Sequence, residues 1–173
     1  MADDTGHEEG MNDKLTDSRR IYDLEWPVGG AAYLELLQRA SMLCSGGLVV
    51  IRASLSNVGL NFLDALSPFT TGIATRDEWP GTRLSRRSAE VREFVINEQS
   101  VELLRSRSTA VSDWYYPDLP EDLCLLRVDG TTWFQSTVHE SWAALWQTNE
   151  EAASLERGSP NLSRLLGPPR NPK

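Results

Sequence analysis

The sequence predicts an α+β fold: a single domain in which a mainly antiparallel sheet is packed by helices, in the order α-β-α-β-β-α-β-β-α. Three observations carry that expectation. The chain has 173 residues, the size of one domain with tails. Its apolar positions switch between the helical and the strand period. Asp129 and Gly130 stand between two β-rich runs, a strong short-range hairpin signal.

Residues 1–20 hold almost no apolar side chain, which predicts a disordered acidic tail with its start at Met1 or Met11. The domain is expected over residues 21–157. Residues 31–43 place Ala32, Leu36, Leu37, Ala40 and Leu43 at helical spacing, with Gly46 and Gly47 as the stop. Residues 48–53 read as a strand buried on both faces, with its pairing sense left open. Ser56 and Asn57 offer a cap for a second helix, which runs to Leu66 and ends before Pro68.

Pro80 and Gly81 mark a turn in the segment Trp79-Pro80-Gly81-Thr82, and residues 91–96 alternate as a strand. Residues 100–111 read as a helix with Val101 and Leu104 on one side, followed by the aromatic cluster Trp114, Tyr115 and Tyr116. The hairpin joins residues 123–128 to 131–138. Residues 141–147 and 150–156 read as helical. Trp142 and Trp146 would then share a face, as core or as the interface of a homodimer. Pro160, Pro168, Pro169 and Pro172 predict a Pro-rich basic tail over residues 158–173.

The formal net charge is −8. Eight acids against three bases lie in residues 1–25, whereas residues 157–173 carry Arg157, Arg164, Arg170 and Lys173 without an acid. An acidic body repels phosphate backbones, so no general nucleic-acid binding is expected. It can steer toward a basic protein partner. The apolar run from Leu48 to Ile51 is too short to cross a bilayer, and the acidic N-terminal stretch has no signal-like apolar core, which predicts a cytoplasmic chain. Arginine outnumbers lysine 15 to 2, a usage that points to a GC-rich bacterial genome. Cys44 and Cys124, both in apolar company, read as buried free thiols.

Phosphate-cradling glycine loops, a nucleophile elbow and paired-cysteine motifs are all missing, so no cofactor and no metal is expected. His139 with Glu140 is the one candidate for acid–base work, either as a base oriented by a carboxylate or as a residue that only ties down a loop. Asp118, Glu121 and Asp122 lie on a loop stiffened by Pro117 and Pro120. They read as anchors for a basic partner, together with Trp114, Tyr115 and Tyr116, or as charges that simply face water. Arg83, Arg86 and Arg87 could hold an anion or protect a strand edge.

The WPGT segment at 79–82 and the run Pro117-Asp118-Leu119-Pro120-Glu121-Asp122-Leu123-Cys124-Leu125-Leu126-Arg127, with Asp129, Gly130, His139 and Glu140, resemble those of a group of small stand-alone bacterial proteins. The resemblance spans residues 45–147 and implies a shared fold; it supplies no catalytic residue. The leading expectation is a non-enzymatic acidic protein-binding module, an immunity protein or antitoxin neutralising a basic bacterial effector. The alternatives are a small enzyme or ligand-binding domain using His139 and Glu140 with an arginine, and a structural subunit or homodimer.

Overall fold

The computed structural model describes residues 19–172. Residues 1–18 of the expected acidic tail lie outside the described residues; Arg19 pairs with Asp129, and Arg20 already belongs to the first strand, β1 (Arg20–Leu24). The helix α1 (Gly30–Leu43) buries Ala32, Tyr33, Leu36, Leu37 and Ala40, the face that the 3–4 spacing specifies. It passes directly into β2 (Cys44–Ile51), so Gly46 and Gly47 lie inside a strand and do not stop the helix. Ser56 caps α2 (Asn57–Leu66), its Oγ accepting from the amides of Val58 and Gly59.

The strand β3 (Thr70–Arg76) alternates half-buried and exposed residues. The short hairpin of β4 (Glu78–Trp79) and β5 (Thr82–Arg83) then turns at Pro80 and Gly81 as expected, and β6 (Ala89–Val95) follows. The helix α3 (Glu98–Arg107) opens on a reciprocal cap between Asn97 and Ser100. β7 (Glu121–Arg127) and β8 (Thr132–Thr137) form the central hairpin. Its turn is one residue offset from expectation. The Gly130 amide donates to the Arg127 carbonyl, so Val128 and Asp129 are the central pair. Gly130, at φ 78°, takes the left-handed position that closes the loop.

Residues 141–147 are not a helix. They supply β9 (Trp142–Gln147), in which Ala143, Ala144 and Leu145 are all fully buried. Alanine and leucine favour helices in isolation, but a strand covered on both faces needs small and apolar residues at every position, and tertiary packing decides. Trp142 and Trp146 still share a face, now through the period of two, and their indole N–H groups donate to Asp23 and Gln135. The chain closes with α4 (Asn149–Gly158), α5 (Pro160–Ser163) and β10 (Leu166–Arg170).

The Pro-rich segment expected as a tail is therefore ordered. Glu35 of α1 accepts from the Asn161 side chain at 2.6 Å and the Leu162 amide at 2.8 Å, and Arg170 pairs with Asp23 across β10 and β1. Pro168 and Pro169 are tolerated because β10 is the sheet edge, where a strand can lack amide donors.

The eight main strands form one sheet in the order β10-β1-β9-β8-β7-β2-β6-β3, and every neighbouring pair is antiparallel. The larger core lies between one face and the helices; there Trp114 is buried and donates to Tyr33, whose hydroxyl meets Ser108 at 2.6 Å. On the opposite face Leu48, Val50, Val91 and Cys124 are covered by Trp79 of the small hairpin and by Leu84. Cys44 and Cys124 are buried free thiols. Among the described residues no helix is long and apolar enough to cross a membrane.

Gly47 marks the tightest point of the helix-side core. A Cβ there would stand 2.5 Å from Cζ of the buried Phe94 ring on the neighbouring strand. Gly47→Ala is expected to lower stability by about 1–3 kcal/mol, the range for overpacking a filled core. Denaturant unfolding with an unchanged m-value and a lower midpoint is the expected reading; wild-type stability would show that the ring has room to move.

Candidate functional site

The most unusual backbone in the sheet lies where β7 begins. Between Leu48↔Cys124 and Val50↔Glu121 two steps of β2 match three steps of β7, and the extra residue is accommodated at Asp122, which takes φ 54°. Asp is among the few side chains that enter this left-handed region readily. The bulge cancels the usual alternation, so Glu121 returns to the face of Leu48 and Val50.

Both carboxyls are buried, with relative exposures of 3% for Glu121 and 0% for Asp122. The oxygens of Asp122 are both used: Trp79 Nε1 donates to Oδ2 at 3.0 Å and the Val138 amide to Oδ1 at 3.2 Å. Glu121 faces Arg52, just beyond the end of β2, whose Nη1 lies 3.4 Å from Oε2. The same Nη1 lies 3.2 Å from Nδ1 of His139, on the helical turn after β8. A guanidinium has donors and no acceptor, so the nitrogen facing it is the unprotonated one, and the neutral ring carries its proton on Nε2. His139 is thereby held as a donor at its other nitrogen. Glu140 is exposed, and its Oε1 stands 3.8 Å from that Nε2, too far for a hydrogen bond.

Arg52, Glu121 and His139 line a cavity of about 300 Å³, with Arg87, Ser88, Leu84, Tyr115 and Tyr116 as further walls. Its walls carry two guanidinium groups, an imidazole and three hydroxyls against one buried carboxyl. Burial is the main cause that pushes the Glu121 carboxyl above the ordinary range, while Arg52 pulls it back. Burial also raises Asp122, with the bonds from Trp79 and Val138 acting the other way.

The structure thus separates the residues singled out in the sequence. Trp114, Glu121 and Asp122 are buried and cannot serve as partner anchors; Tyr115, Tyr116 and Asp118 remain exposed. Of the three arginines expected to bind an anion, Arg87 alone reaches the cavity. Arg83 stands 3.8 Å from Glu78. Arg52 carries no signal in the sequence, because a lone arginine after a strand has no local signature.

A metal reading was not expected from the sequence, yet one ligand atom each from Glu121, Asp122 and His139 lie within 4.8 Å of one another. The donor set suits a cation poorly. Both Asp122 oxygens are already engaged, and the Arg52 guanidinium lies against the other two residues. Comparison with family models, with curated proteins and with solved structures finds no match.

The raised carboxyls fix the sign of a pH effect. The folded state holds these protons more tightly than the unfolded chain, so this contribution to stability is greatest below about pH 4 and is lost as pH rises through the raised values. Asp129 acts oppositely and in a different window: Thr131 holds it down to about 2, so its contribution is lost only as pH falls below the ordinary carboxylate range. Unfolding free energy measured from about pH 4 to pH 7 is expected to decline, and Glu121→Gln to flatten the decline. A stability that rises across this interval would contradict the buried acidic pair.

Proposed function

We propose that this protein is a ligand-binding domain whose cavity at the head of β7 takes an anionic group. The observation that carries the reading is the Arg52 guanidinium, set between Glu121 and His139 Nδ1 on the wall of a cavity that Arg87 also lines. Convergent donors in a concave site of this size are the usual means of fixing a small anion. Arg87 makes none of the ion pairs found among the described residues, so its charge is available to a ligand. Glu121 accepts from Arg52 Nη1 and so fixes the guanidinium on the cavity wall.

This reading descends from the second of the sequence expectations, with Arg52 as the arginine and Glu121 in the place given to Glu140. The basic-partner expectation keeps Tyr115, Tyr116 and Asp118 as its surface.

Titration calorimetry with inorganic phosphate, acetate and succinate tests the proposal. At least one of these anions is expected to bind, and Arg52→Ala and Arg87→Ala each to weaken it about tenfold, the size of one charge-assisted hydrogen bond. His139→Ala, which removes an N–H donor, is expected to cost less. Binding that is indifferent to both arginines, or no binding at millimolar concentration, would remove the cavity from the function.

A further inference from the structure

The exposed tyrosines belong to two cavities at once. Tyr115 and Tyr116 pack with ring centroids 4.6 Å apart and an inclination of 36°. On one side they wall the donor-lined cavity, and on the other a second hollow of about 340 Å³. The second hollow has an apolar lining that includes Val58 and Leu119, and its charges are Asp113, Asp118 and Arg107.

Each acid there has one oxygen bonded and one free among the described residues. Asp113 Oδ2 takes the amides of Thr109 and Ala110 and the Thr109 hydroxyl, which leaves Oδ1 without a partner among the described residues. Asp118 accepts from Ser56 Oγ through Oδ1 alone, which leaves Oδ2 without a partner among the described residues. A cation-rich cavity and an acid-bearing hollow thus meet across a pair of exposed aromatic rings.

We propose that the two cavities form one extended site for an α-carboxylate that bears a cationic side chain, the unit presented by lysine or arginine, free or at a peptide carboxy-terminus. The carboxylate lies against Arg52 and Arg87; the aliphatic stem and cationic head pass over the tyrosines to Asp118. Aromatic faces attract such a cation, and a long basic side chain covers apolar surface while its head stays with an acid. The inference rests on the donor-lined cavity being an anion site, and it adds the requirement for a cation.

Titration calorimetry on the full chain tests it with free lysine, the tripeptide Ala-Ala-Lys as acid and as amide, and Ala-Ala-norleucine as acid. The Ala-Ala-Lys acid or free lysine is expected to bind about tenfold more tightly than both the amide and the norleucine peptide, and which of the two binds identifies the source. Asp118→Asn keeps an oxygen for Ser56 and so spares the loop; it is expected to erase the preference for lysine over norleucine. Equal binding of the lysine and norleucine acids, still dependent on Arg52, would overturn this inference and leave the anion site standing. Failure of every carboxylate and of inorganic phosphate would overturn both.

Discussion

The bulge at Asp122 is the constraint from which the rest of the site follows. In a regular strand Glu121 and Asp122 would point to opposite faces; one extra residue puts Glu121 back beside Val50. Asp122 then binds the Trp79 indole and the Val138 amide, tying the small hairpin and the turn after β8 to the centre of the sheet. The hairpin covers the second core, and the turn carries His139. A buried carboxyl with both oxygens satisfied can fix such a junction, whereas removal of its partners would leave a desolvated polar group at a cost of several kcal/mol.

A second buried charge organises the far end of the same strand. Arg127 donates to the Thr132 and Trp146 carbonyls and to both oxygens of Glu151, so one guanidinium joins β7, β8, β9 and α4. Glu151 also closes the cap of α4 by accepting from the Thr148 amide. The strand that begins with two buried acids therefore ends with a buried base. Its two ends are pinned by polar networks, and its middle, Leu123 to Leu125, is wholly apolar and buried.

Local signals gave much of this fold without the structure. The Ser56 cap, the Pro80 and Gly81 turn, and the 3–4 spacing of α1 each depend on a few adjacent residues. The misread segments depend on their surroundings. β9 is strand because both of its faces are covered, and β10 because an edge accepts prolines; β3, for which the sequence offers no reading, is strand because it pairs with β6. The site was legible in part. Counting the hairpin register back from Leu125 and forward from Phe134 sets Glu121 opposite Val138, beside His139. Nothing local announced the bulge or brought Arg52 to the same place, since that contact is made across the sheet.

The electrostatics of the whole chain bear on what such a site can take. A net charge of −8 repels a free anion, while the guanidinium groups attract it. At physiological ionic strength the repulsion is screened beyond about 8 Å, so it acts mainly on the last approach. A ligand carrying both signs escapes this conflict. Free lysine and Ala-Ala-Lys carry a net positive charge at neutral pH once the α-ammonium is counted, so the acidic surface does not repel them. The acidic body and the donor-lined cavity are then compatible parts of one device: the body disfavours simple anions, and the cavity retains the carboxylate of a ligand that brings its own cation.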